Sequence, residues 1–260
     1  MEITLFTKCL FEFIGTLVLI LLGDGVVASN CLKGSKGFNG GWIVITIAWG
    51  FAVMCGVLIA GPYSGAHLNP ALTLGFAVAG SFEWSAVLPY MVAQMLGGFC
   101  GAALVYAFYK DHFDLTDDAA TKLGVFCTAP AVMNKPRNFF CEVVGTMLLI
   151  FVIMAIGNQE NTPEAGMGAL GCFPTVMLIM AIGMSLGGTT GYAINPARDL
   201  APRIAHAILP IKGKGSNQWS YSWVPVLGPM VGAVLGALIY VGVYNFEVGI
   251  SCNLRRLSDH

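Results

Sequence analysis

Two ten-residue stretches, SGAHLNPALT at 64–73 and TGYAINPARD at 190–199, carry most of the polar chemistry of an otherwise apolar chain. Each writes asparagine, proline and alanine in sequence, Asn69-Pro70-Ala71 and Asn195-Pro196-Ala197, with the two asparagines 126 positions apart. An asparagine supplies an amide donor and an acceptor, and Arg198 after the second copy adds a fixed fork of donors. Glu12 and Glu142 supply acceptors within EFIGT at 12–16 and EVVGT at 142–146, an offset of 130. His67 lies close to Ser64, an arrangement that invites comparison with a serine hydrolase. No acid lies near it in sequence and no nucleophile elbow is present, so His67 is read as a brace or lining residue of its loop. Eight cysteines form no C-x-x-C pair and five lie in apolar segments, where they pack as small hydrophobes. What remains is hydrogen bonding without acid–base work. The chemistry is recognition of a neutral molecule, with no catalytic group, metal or cofactor expected.

The elements that hold these residues follow from composition. Of 260 residues, 56% are hydrophobic and only 10% charged, far from the roughly 25% charged of soluble domains. The 13 basic and 14 acidic residues nearly cancel, so no basic face suggests nucleic acid as a partner. Segments 37–82, 84–109, 165–197 and 215–246 contain no charged residue. A crossing of the bilayer needs roughly 20 apolar residues. Lys8 before an apolar run resembles a signal peptide, but Glu12 inside that run and the lack of a small-residue cleavage site predict a retained first span. Full spans are predicted at about 8–28, 41–60, 86–109, 138–157, 172–187 and 221–244, with Gly61-Pro62 ending the second. Asp24 is taken to mark a helix end. Two shorter pieces start at Asn69-Pro70 and Asn195-Pro196 and end near Gly80 and His206, each about half a bilayer long. Asparagine is a favoured N-cap and proline is at home in the first turn, so both motifs are helix starts.

A helix that starts at membrane depth leaves the preceding backbone unsatisfied unless it is buried in protein or lines a wet cavity. The predicted fold is therefore an all-α membrane protein of six transmembrane helices and two re-entrant half-helices, a single domain over 1–260. It contains two repeats, about 8–109 and 138–245. Three spans per repeat force the second copy to insert upside down, so the half-helix N-termini face each other near the midplane. Those N-termini and the amides of Asn69 and Asn195 place positive potential and donors at the centre. Gly65, Ala66, His67 and Leu68 on one side, and Tyr192, Ala193 and Ile194 on the other, supply carbonyl acceptors. Glu12 and Glu142 brace these irregular segments. The glycines Gly97, Gly98 and Gly101, and Gly228, Gly232 and Gly236, allow close helix crossings. His112 and His260 are read as surface residues, and His206 as a cation at the end of its half-helix.

On these motifs and repeats the chain resembles the aquaporin family over about residues 8–245, and within it the glycerol facilitators or aquaglyceroporins. The resemblance implies a homotetramer with one pore per subunit, multi-pass in the cell membrane, with both termini cytoplasmic. It implies a selectivity filter of Trp49, Gly183, Tyr192 and Arg198, in which Gly183 stands where strict water channels carry histidine. Asp199 after Asn-Pro-Ala-Arg marks the glycerol-conducting branch, together with Arg203, Pro225 and Val226. The permeants implied are glycerol, other linear polyols and water, with ions and protons excluded. Tyr192 departs from the phenylalanine common at its position. The basic residues depart too: Lys8, Arg255 and Arg256 fall on the cytoplasmic side and the others opposite, the reverse of the positive-inside rule.

Three other readings are available, one of them a membrane-embedded enzyme, for which the sequence shows no catalytic constellation. A water-preferring channel would exclude polyols at Tyr192. A coupled secondary transporter also uses inverted repeats and broken helices, but no carboxylate is written in the half-helix segments before Arg198.

Overall fold

The structure is a computed structural model and describes residues 3–158 and 170–258; His260 lies outside the described residues. The first half contains α1 (Leu5–Cys31), α2 (Trp42–Ser64), the short α3 (Pro70–Val78) and α4 (Trp84–Phe108). After α5 (Lys110–Leu115) and α6 (Ala119–Phe126), the second half contains α7 (Lys135–Ile156), α8 (Phe173–Leu186), α9 (Pro196–Ile208) and α10 (Trp219–Ser258). Among the described residues five helices are long and apolar enough to cross a membrane: α1, α2, α4, α7 and α10 up to Tyr244. The sixth predicted span is α8, apolar and 14 residues long within the described residues.

Packing repeats between the halves. Helix α1 lies between α2 and α4, as α7 lies between α8 and α10; α4 supports α9, as α10 supports α3. The glycine rows explain how α4 and α10 come so close to their neighbours. A Cβ on Gly101 would sit 2.6 Å from the Leu17 carbonyl of α1, and one on Gly236 would sit 2.5 Å from the Met147 carbonyl of α7. Small residues at such crossings let backbones meet where lipid offers no hydrophobic drive for association.

Burial inverts the soluble pattern. Leu58 and Leu88 are 63% and 69% exposed, whereas Glu12, Asp24, Asp199 and Arg203 are wholly buried. An apolar exterior, around a mostly apolar core whose few charges are buried with partners, is what a bilayer as solvent selects.

Three sequence expectations need correction. Gly61-Pro62 does not end α2, which runs on to Ser64. Pro62 forfeits one hydrogen bond near the end of a long helix, and Gly65 in the left-handed region (φ 83°) supplies the actual stop. Asp24 does not mark a helix end; it lies inside α1 and is buried. Nor is His206 the cation at the end of its half-helix. It is buried, with Nδ1 2.6 Å from Asn217 Oδ1. The charge at the end of α9 is supplied by Lys214, whose ammonium donates to the carbonyls of His206, Ala207 and Leu209 at 2.9, 2.6 and 2.8 Å. Helices α5 and α6 were not anticipated. Asp118 caps α6 by accepting from Ala120 and Thr121, and the Thr121 hydroxyl and main-chain donors hold its carboxyl below the usual range.

Candidate functional site

Each half-helix begins as its motif dictates. Asn69 has extended backbone and its Oδ1 accepts from Ala71 N–H at 2.9 Å; Asn195 does the same for Ala197 at 2.9 Å and Arg198 at 3.3 Å. With each Oδ1 occupied by its own helix, the amide nitrogens reach across. Asn69 Nδ2 donates to the Ile194 carbonyl and Asn195 Nδ2 to the Leu68 carbonyl, both at 2.9 Å. The N-termini of α3 and α9 are thereby stitched to the loops of the opposite halves.

The loops before these helices share an unusual backbone. Ala66 and Leu68 have φ of 51° and 50°, and Tyr192 and Ile194 have φ of 40° and 44°. Non-glycine residues occupy this region only when their surroundings over-determine it. The surroundings are two carboxylates. Glu12 Oε1 accepts from His67 N–H at 2.8 Å and the Ser64 hydroxyl at 2.6 Å, while Oε2 accepts from Leu68 N–H at 2.7 Å and Gln94 Nε2 at 2.8 Å. Glu142 accepts from Ala193 N–H at 3.1 Å and Ile194 N–H at 2.9 Å. The N–H edge of each loop faces a carboxylate, which leaves carbonyls on the other edge. Leu68 is seated between two glycines: a Cβ on Gly15 or Gly56 would come within 2.6 or 2.7 Å of its methyl groups.

Between the loops runs a cavity of about 80 Å³, room for several waters or one small polyol. Trp49, Ala66, His67, Leu68, Asn69, Tyr192, Ala193, Ile194, Asn195 and Arg198 all line it. An apolar wall that sequence reasoning missed comes from Leu19, Val53, Val57, Leu72, Leu149, Ile153 and Ile179, with Thr175 as a further polar group. Gly65, Gly183 and the motif residues Pro70, Ala71, Pro196 and Ala197 are not in the lining.

His67 Nδ1 lies 3.1 Å from Thr73 Oγ1, with its ring packed against Phe76, Phe82 and Tyr90. Gly183 lies behind Tyr192: a Cβ there would come 2.8 Å from Tyr192 Cζ and 2.9 Å from Thr46 Cγ2. Trp42, also missed, donates from its indole to the Gly183 carbonyl at 3.0 Å and meets Tyr192 edge-on at 5.8 Å.

Arg198 stacks on Trp49, its guanidinium carbon 4.2 Å from the ring centroid. Its Nη1 donates to the Phe126 carbonyl at 3.3 Å and to Asp24 Oδ1 at 3.4 Å. Asp199 faces away from the cavity. Its Oδ1 accepts from Arg203 at 3.0 and 2.8 Å, and its Oδ2 from Thr128 N–H and hydroxyl at 2.7 Å each. Arg203 adds bonds to the Thr128 and Asn217 carbonyls, so this pair locks the chain after α6 onto α9. Among the described residues no cluster could hold a metal ion.

The family model of the major intrinsic proteins matches residues 1–240. A Thermotoga maritima protein named a probable glycerol uptake facilitator is 54% identical over 231 residues, covering 89% of this chain and 97% of that one. The glycerol uptake facilitator of Bacillus subtilis is 50% identical over 239 residues, covering 91% and 85%. Among solved structures, the aquaglyceroporin from Plasmodium falciparum superposes with a TM-score of 0.84 at 30% identity, covering 95% of this chain and 100% of that one.

Proposed function

The chain belongs to the major intrinsic protein family, and we propose that it is a passive transmembrane channel for glycerol, other linear polyols and water, not an enzyme. The observation that carries this reading is the pairing of the two half-helix starts across one cavity. Each asparagine commits its Oδ1 to its own helix and one amide hydrogen to the opposite loop. The second amide hydrogen of each is left for a permeant. The centre of the pore then offers donors without acceptors, reinforced by two positive helix ends. A hydroxyl oxygen can accept there and move on. A cation meets repulsion, and a water at this point, its lone pairs taken by the two amide donors, can donate to its neighbours but cannot accept from them along the file, which breaks a proton relay.

Away from the centre, the carbonyls of Ala66, His67, Tyr192 and Ala193 accept from hydroxyls, while Leu19, Val53, Ile179 and the aromatic faces suit carbon. A molecule with hydroxyls along one side of a short carbon chain matches both walls. The glycerol named for the relatives fits that description. Trp49, Tyr192 and Arg198 form the narrow filter of this reading, with Gly183 making room for Tyr192; Glu12 and Glu142 keep the carbonyl edges turned to the lumen, and Asp199 anchors α9. The repeats are inverted, the subunit assembles as a homotetramer, and both termini are cytoplasmic.

The test is stopped-flow light scattering on proteoliposomes, comparing shrinkage in an impermeant osmolyte with re-swelling in glycerol. Fast re-swelling is expected. Fast shrinkage without re-swelling would make this a water channel closed to glycerol at Tyr192, and the absence of both would refute the pore.

A further inference from the structure

Four charged side chains are buried on one side of the cavity, at and behind Arg198. Arg203 and Asp199 satisfy each other and Thr128, as described above. The second pair is Arg198 with Asp24, from the middle of α1 and 174 residues away in sequence. Asp24 is wholly buried, does not line the cavity, and its Oδ2 has no hydrogen-bond partner among the described residues. Its neighbour Gly23 lies under Trp49, where any Cβ would overlap the ring. One dipeptide of α1 therefore supports both the ring and the guanidinium that face the lumen.

A carboxylate in this setting is costly to bury and is kept only where its charge is used. The other acceptor of the Arg198 guanidinium, the Phe126 carbonyl, would with the Trp49 ring hold its position without any charge. What the carbonyl cannot do is cancel a unit positive charge beside a pore whose centre already carries two positive helix ends. Building on the channel reading above, we propose that Asp24 is a specificity-determining residue that neutralises Arg198, so that the filter donates hydrogen bonds to neutral hydroxyls without drawing anions into the pore. With both pairs intact the four charges sum to zero. Without Asp24 the balance is one positive charge, close to the lumen and poorly screened in a dry environment.

The test uses the full-length protein in proteoliposomes, with potassium nitrate inside and valinomycin to balance charge, and reads nitrate efflux relative to glycerol re-swelling in the same vesicles. The ratio is independent of the fraction of correctly folded protein. Wild type is expected to pass glycerol and exclude nitrate. Asp24→Asn keeps the shape and one acceptor, and is expected to raise the nitrate-to-glycerol ratio at least tenfold, the factor produced by about 1.4 kcal/mol in a barrier. Asp24→Leu should do the same, and Asp24→Glu should stay near wild type. A ratio within twofold of wild type in both neutral variants would overturn the proposal, leaving Asp24 a packing residue. Should Asp24→Leu alone raise the ratio, with Asn behaving as wild type, the residue acts by positioning and the charge argument fails. Wild-type vesicles without glycerol flux would instead refute the channel reading itself, so the two failures are distinguishable.

Discussion

Replacing Glu12 tests the idea that the irregular loop before α3 is held by one carboxylate. Glu12 accepts four hydrogen bonds. In Glu12→Ala the Ser64 hydroxyl can still donate to the Ala60 carbonyl at 3.2 Å, and Gln94 can still donate to Thr73 at 3.0 Å. The main-chain N–H groups of His67 and Leu68 are then orphaned in a buried site. At about 1–3 kcal/mol for each unsatisfied buried donor, the loss is about 2–6 kcal/mol. Glu12→Gln should cost about half as much. Its amide oxygen can serve one side, and Gln94, whose Oε1 has no partner among the described residues, can flip to accept from the new amide nitrogen. One main-chain N–H stays unpaired, for about 1–3 kcal/mol. Thermal unfolding in detergent, at roughly 2–4 °C per kcal/mol for a chain of this size, should rank wild type above Gln above Ala. Glycerol flux per folded pore should fall in the same order, because Ala66 and Leu68 relax from the left-handed region once the brace is gone. An alanine variant within 2 °C of wild type and with undiminished flux would refute the reasoning.

Gly183→Ala drives a methyl into Tyr192 and Thr46; about 1–3 kcal/mol of overpacking should push the tyrosine lumenward, lowering glycerol re-swelling at least about threefold and water flux less. Asp199→Asn leaves the Arg203 charge buried without its partner and should lower stability by about 3–5 kcal/mol, read as a drop in unfolding temperature. Lys214→Met removes the cation from three carbonyls at the end of α9 and should cost about 1–2 kcal/mol, checked by the same melt.

Charge-free runs and their breakers made the spans legible, because lipid leaves few ways to write a crossing. The Asn-Pro-Ala starts were legible for the same reason, since N-cap chemistry is local. Pairings across the chain were not. Asp24 meets Arg198 only through the packing of α1 against α6 and of α6 against α9, although an acid in an apolar helix already carries the signal of a functional group. Trp42 behind Tyr192 and the apolar wall of Leu149, Ile153 and Ile179 depend on which helix face turns inward. Hydropathy cannot show this when both faces are apolar. Lys214 escaped notice because its acceptors are main-chain carbonyls, to which any sequence is blind. Helices α5 and α6 are short and held by loop contacts, outside the reach of a reading based on spans.

The crossed asparagine bonds also bear on how the chain is made. Asn69 needs the Ile194 carbonyl, and the Leu68 carbonyl needs Asn195, yet synthesis delivers the second motif well over a hundred residues after the first. Until then the first half has a helix start at membrane depth with its outward donor and acceptor unmet, a state that hydrocarbon penalises. Re-entry of α3 is therefore expected late in biogenesis. The ribosome must finish the second motif before the first can settle, and a nascent chain stopped after α4 should leave residues 65–78 accessible to an aqueous label.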